Sequence, residues 1–291
     1  MIKYIVSDLD GTLLNSDYAW DDKIQNALER ILLRDVEFVV ATGRTMAGLV
    51  DIKWLWNAPI YLILMNGSLI LDKERNVFYS SVISQDIIQV ILNQTIIETI
   101  EYITKDKILT TLSKEEYISK YSKWDLWKNK VLNKKSTGFY DDYLSKFIFN
   151  ASHNEIEKAQ ILKINGLFLN EEERNESMMI VEGLQDRVVN APFDKNVFEL
   201  TMKNVSKASA LESIILHEDW DKNSVAVFGD GGNDIELIKQ YNHSYAPFNA
   251  IEEIKKNAKE VVDANDNYGV IKKMLELINL SDDEDGVKSI T

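Results

Sequence analysis

The sequence has no cysteine, which excludes disulfides, thiolate catalysis and the cysteine-rich kinds of structural zinc site. It also lacks any apolar run approaching the roughly 18 residues that a bilayer-spanning helix needs. Met1 runs directly into a strand-like segment rather than a secretory leader, so a cytoplasmic protein with no membrane partner is expected. Positive charge is scarce: 33 Lys and Arg stand against 47 Asp and Glu, for a formal net charge of −14. Such a body repels phosphate backbones and forgoes the counterion release that drives nucleic-acid binding, so no nucleic-acid partner is expected. Part of that charge lies in an acidic tail, Asp282, Asp283, Glu284 and Asp285, expected to be solvated and frayed. No internal repeat or low-complexity linker divides the chain.

What is present is a globular composition, 45% hydrophobic and 27% charged over 291 residues. That is enough for two compact domains, or one domain carrying a large insertion. Residues 2–6, 37–41, 59–65 and 224–228 form nearly unbroken apolar runs, each ending at a polar loop, as buried parallel strands do. Helical spacing fills the intervals: Ile24, Leu28, Ile31 and Leu32, then Ala210, Leu211, Ile214 and Ile215. Alternating strand and helix predicts an α/β fold with a Rossmann-like parallel sheet. Ligands bind such sheets beyond the carboxyl ends of the strands, where the polar loops fall.

Residues 84–195 differ in character. The pattern there predicts a helix over 86–103, a strand over 144–149, a helix after Asn154, and strand-like pieces near 178–181 and 188–189. An inserted α+β domain over 84–195 is therefore expected. Residues 1–83 and 196–280 then form the core, and 281–291 the tail.

Four clusters carry chemistry. In Asp8-Leu9-Asp10-Gly11-Thr12 two carboxylates stand two residues apart at the mouth of a buried strand, which is costly unless a cation or proton settles them. A simple turn would also use Asp and Gly. A calcium loop counted from Asp8 fails, because its sixth residue is Leu13 rather than Gly and its twelfth is Ala19 rather than Glu. Thr42-Gly43-Arg44 offers a hydroxyl, a flexible glycine and helix-start amides, suited to an anion or to an ordinary Thr cap. Ser206-Lys207 places a lysine where a helix dipole disfavours it, which fits a lysine aimed at bound phosphate. In the run from Gly229 to Asp234 the glycines let a backbone approach a ligand. Asp230 and Asp234 there offer oxygen ligands of the kind Mg2+ takes, although Asp234 could simply cap the next helix.

Together these segments resemble the haloacid dehalogenase superfamily, in particular its Cof-type phosphatases with a large inserted cap. The resemblance rests on DLDGT at Asp8, ATGR at Ala41, NG at Asn66, Lys207, GDGGND at Gly229, NA at Asn249 and ANDNYGV at Ala264. It implies a phosphoric monoester hydrolase with Asp8 as nucleophile, Asp10 as general acid and base, and Thr42 and Lys207 holding the phosphoryl group. It further implies substrate or phosphate contacts by Gly11, Gly43, Arg44, Asn66 and Asn233. Mg2+ would be held by the Asp8 and Asp230 carboxylates and the Asp10 backbone carbonyl, with Asp234 in support. The expected partner is a small phosphorylated metabolite, such as a sugar phosphate or phosphorylated cofactor. A phosphomutase or other phosphotransferase, and a catalytically silent binding module, are the alternatives on the same residues. Two departures stand out: Ala208 follows Lys207 where the family often has Gly, and Pro247-Phe248 precedes Asn249 where it commonly has Met-Gly.

Overall fold

In the computed structural model, residues 1–125, 127, 131, 138–192 and 194–280 are described. The expected acidic tail lies outside them. In chain order the first elements are β1 (Tyr4–Ser7), α1 (Asp22–Leu32), β2 (Glu37–Ala41), α2 (Lys53–Asn57), β3 (Tyr61–Leu64), β4 (Leu69–Leu71) and β5 (Val77–Ser80). Next come α3 (Gln85–Gln94), β6 (Ile100–Ile103), β7 (Ile108–Leu109), α4 (Lys114–Tyr121), α5 (Phe139–Leu144), β8 (Phe147–Ile148) and α6 (His153–Lys158). They are followed by β9 (Lys163–Leu167), α7 (Glu171–Gly183), β10 (Val188–Asn190), β11 (Val197–Met202) and α8 (Lys207–Glu218). The last are β12 (Val225–Phe228), α9 (Ile235–Gln240), β13 (His243–Pro247), α10 (Glu252–Asn257), β14 (Glu260–Val262) and α11 (Gly269–Leu277).

The chain divides into two compact units, Met1–Val40 with Ile215–Thr291, and Ala41–Ile214. In the first, strands run in the order β14-β13-β12-β1-β2 and every neighbouring pair is parallel. Parallel strands covered on both faces have no polar side to show, which is why Ile5, Val6, Val39 and the whole of β12 are apolar and buried. The register decides the chemistry. Ser7 pairs with Phe228, so the residues that follow, Asp8 and Gly229-Asp230, leave adjacent strands at the same carboxyl edge. This is the expected α/β arrangement with a parallel-strand core.

In the second unit β3, β4 and β5 form antiparallel pairs, and a six-stranded sheet runs β10-β11-β9-β6-β7-β8. Strand alternation gives that sheet two unlike faces. Ile100, Tyr102, Ile164, Phe198 and Leu200 pack with Ile87, Ile88 and Ile91 of α3, Ile156 of α6 and Val181 of α7. Their neighbours Glu101, Lys163, Glu199 and Thr201 are buried too, on the opposite face.

Several expectations inside 84–195 need correction. The helix expected over 86–103 ends at Gln94, and 100–103 is strand β6. The β-branched run from Thr95 favours extended backbone once the amphipathic stripe is exhausted. The expected strand over 144–149 is only Phe147–Ile148, preceded by α5. The strand-like piece 178–181 lies within α7, whose Asn170 cap accepts from the Glu173 amide and starts a helix that carries the later apolar residues along. The six-stranded sheet also takes in β11, beyond residue 195.

Candidate active site

In the first unit, the segment after β1 folds back as a tight turn over Leu9–Leu13. The Asp8 amide donates to Phe228 O at 3.0 Å, locking the turn to the end of β12. Gly11 has φ +79°, and a Cβ there would lie 2.4 Å from Asp230 Oδ2, so any other residue would be strained and would have to displace the Asp230 carboxylate. Thr12 Oγ1 donates to Asp230 Oδ1 at 2.6 Å. Asn249 Nδ2 donates to Gly11 O at 2.7 Å, while Asn249 Oδ1 accepts from the Asn265 amide at 3.0 Å. Asn265 Nδ2 in turn donates to Leu14 O at 2.9 Å. Three successive contacts thus hold the Asp8–Leu14 turn, and Pro247-Phe248 does not prevent them: Pro247 ends β13 and Phe248 faces solvent.

Asp234 stands at the N-cap position of α9 but makes no cap bond there. Its Oδ2 instead accepts from the Asp230 amide at 3.1 Å and the Gly231 amide at 3.0 Å. The cap reading of Asp234 therefore gives way to a carboxylate that shapes the Asp230 loop. The outcome is a group of three acids, Asp8, Asp230 and Asp234, with one oxygen of each within 4.8 Å of the others. Asp8 and Asp234 are buried. Like charges gathered in a partly dry place disfavour one another unless a cation joins them. Hard carboxylate oxygens suit a divalent ion such as Mg2+, so the donor set fits a metal. The Asp10 carboxylate is not in this trio. Asn233 sits beside it on the Gly232–Asp234 turn.

In the second unit three loops come together. Thr42 follows β2; its amide donates to Ile63 O at 2.8 Å and its carbonyl accepts from the Asn66 amide at 3.1 Å. Thr42 Oγ1 accepts from the Arg44 amide at 3.1 Å. This is a hydroxyl turn rather than the expected helix start, since helical turns resume only at Ala47. Arg44 Nη1 donates to Gly48 O at 3.0 Å, along its own loop. Met65 and Asn66 take left-handed φ of 51° and 56°. Gly67, at φ +106°, comes so near the turn before α8 that a Cβ would lie 2.4 Å from Ser206 O. Ser206 caps α8 by accepting from the Ser209 amide at 3.2 Å, and Lys207, the first residue of that helix, is fully buried. Thr42, Gly43, Asn66 and Lys207 are thereby clustered within this unit.

Thr12, Asn249 and Asn265 were not singled out as functional from the sequence, although each lies in a quoted motif. Lys163, which donates to Gly43 O at 3.1 Å, lies in none of them.

A family model for haloacid dehalogenase-like hydrolases matches residues 5–274. Phosphatase YwpJ of Bacillus subtilis is 27% identical, with 95% of this chain and all of the relative aligned. The B. subtilis 5-amino-6-(5-phospho-D-ribitylamino)uracil phosphatase YcsE is 25% identical over 93% of this chain and 94% of its own. The solved structure of a haloacid dehalogenase-like hydrolase from B. subtilis superposes with a TM-score of 0.77 at 26% identity, covering 94% of this chain and 99% of that one. The parallel core, the acids at its carboxyl edge and a family match spanning nearly the whole chain agree: this protein belongs to the haloacid dehalogenase superfamily, as a phosphatase of the Cof type.

Proposed function

We propose that this protein hydrolyses small phosphorylated metabolites with Mg2+, through a phosphoryl group carried briefly on Asp8. The observation that carries the reading is the trio of carboxylates, Asp8, Asp230 and Asp234, within 4.8 Å of one another at the ends of adjacent strands. In the first step an Asp8 carboxylate oxygen attacks phosphorus and the bond to the leaving oxygen breaks. Asp10 gives that oxygen its proton. In the second step Asp10 takes a proton from water, the water oxygen attacks phosphorus, and Asp8 is released together with inorganic phosphate. Splitting the displacement in two makes each barrier smaller.

Thr42 and Lys207 hold the phosphoryl oxygens, with Gly11, Gly43 and Asn66 supplying backbone or amide contacts and Arg44 and Asn233 flanking them. Mg2+, held by Asp8, Asp230 and the Asp10 carbonyl with Asp234 in support, supplies neutralisation of phosphoryl charge. Residues 84–195 act as the cap that selects the leaving group. Relatives named as phosphatases of a phosphoribitylamino-uracil support a small, polar, hydroxylated substrate. No described helix is long and apolar enough to cross a membrane. A panel of phosphomonoesters, assayed with and without Mg2+ against the native chain, tests the reading. The expected result is metal-dependent release of phosphate from one or more sugar or cofactor phosphates, and no turnover of any member would end it.

A further inference from the structure

The loop that carries Thr42 is held by a residue from a distant strand. Lys163, on β9, is only 1% exposed. Its Nζ donates to Glu199 Oε1 on β11 at 2.5 Å and to Gly43 O at 3.1 Å. On the other side β9 pairs with β6, whose buried Glu101 also feels the Lys163 charge. A dry ammonium is tolerable only with such partners, so its direction is set by the sheet.

That direction has a consequence for the loop. Across a trans peptide the carbonyl and the following N–H point in opposite directions. With the Gly43 carbonyl turned to Lys163, the Arg44 N–H points away from it, to Thr42 Oγ1 at 3.1 Å. A hydroxyl that accepts from an amide keeps its own hydrogen for another acceptor. Gly43 is also the loop residue whose backbone turns most easily, so a tie at its carbonyl constrains the place that needs it.

We infer that Lys163 is a positioning residue: with Glu199 it fixes the Gly43–Arg44 peptide and so sets the Thr42 hydroxyl. The inference rests on the phosphate-holding role proposed for Thr42. It also couples the polar face of the six-stranded sheet to the chemistry without requiring Lys163 to touch substrate.

The test compares Lys163→Met with the paired Lys163→Met/Glu199→Gln, because the single change strands the Glu199 carboxylate and endangers folding. The paired variant removes both charges. Expected first is a shifted Arg44 backbone amide signal in NMR, with hydrogen exchange at least about tenfold faster. Expected second is a kcat reduced about 10- to 100-fold on p-nitrophenyl phosphate and on a sugar phosphate alike. Third, in a Thr42→Val background the paired change should lower kcat no further.

An unaltered Arg44 amide in the folded paired variant overturns the inference, as does a kcat loss that multiplies with Thr42→Val. A loss confined to the sugar phosphate also overturns it, since that would make Lys163 a contact to the leaving group. A displaced Arg44 amide in a protein whose native form hydrolyses no phosphomonoester would uphold the tie and remove the phosphatase reading instead.

Discussion

The two units manage buried charge in opposite ways. In the first, three carboxylates of one sign are drawn to within 4.8 Å. In the second, signs alternate across the sheet: Glu101 is bonded by the Tyr117 hydroxyl at 2.7 Å and by Asn165 Nδ2 at 3.2 Å, and Glu199 is paired with Lys163. A cluster of one sign is a place for something added, a cation or a charge-bearing substrate. An alternating cluster is complete in itself and acts as a fastening. The first therefore bears on the chemistry directly, and the second acts through shape, as Lys163 does at the Gly43 carbonyl.

The sharpest way to break this contrast is to remove the nucleophile without changing its shape. Asp8→Asn should lower kcat by on the order of a thousandfold or more while the thermal midpoint stays near the native value. A folded variant with near-native turnover would refute the assignment. Next comes the added cation. EDTA should stop phosphate release and Mg2+ restore it, and Asp230→Ala should raise the Mg2+ concentration needed for half-maximal rate. Mg2+ should also raise the melting temperature of the native chain more than that of Asp230→Ala, since a ligand that binds only the folded state stabilises it. Full activity in metal-free protein would leave the acidic trio without its role.

The two regions also differ in how readily they could be read. Strands buried on both faces announce themselves as apolar runs, and 37–41 was bounded as the structure has it. The loops after them carry the reacting groups, so the acids, Thr42 and Lys207 stood in short motifs. In the six-stranded sheet short apolar runs suit helix or strand equally. The piece at 178–181 was misread because the decisive signal, Asn170 with three glutamates behind it, lies eight residues upstream. Lys163 was beyond reach for another reason: its partner Gly43 is 120 residues away, and nothing local marks a lysine in an apolar strand as anything but a misplaced surface charge. Orientation was equally hidden. Arg44 and Asp234 turn toward their own loops, which only the folded backbone decides.

A smaller effect should come from Asp234, where support of the acidic loop can be separated from chemistry. Asp234→Ala leaves the Asp230 and Gly231 amides without this acceptor in a partly buried place. The expected cost is about 1–3 kcal/mol of unfolding free energy, read from urea denaturation, together with a weaker response to Mg2+. A loss of turnover as large as that of Asp8→Asn, at unchanged stability, would instead put Asp234 among the reacting groups.

The smallest expected effect lies in the alternating cluster and concerns pH. Burial pushes the Glu101 carboxyl above its ordinary value of 4.5, while the bonds from Tyr117 and Asn165 and the Lys163 charge pull it back. With the folded value raised, the folded state holds this proton more tightly than the unfolded chain. Between the ordinary value and the raised one the folded form binds more protons, so stability falls as pH rises through that window and is flat above it. Glu101→Gln keeps the shape and removes the titration. Its urea midpoint should therefore fall less than the native one on going from about pH 4.5 to 7. The three stabilising partners make the difference modest, and kcat on p-nitrophenyl phosphate should change little, because Glu101 fastens the sheet rather than the Thr42 loop. An equal fall in both proteins would mean that Glu101 is no more strained by burial than a surface carboxylate. A steep kcat loss with an unchanged midpoint would move this part of the sheet from fastening to recognition, and the contrast between the two units would no longer hold.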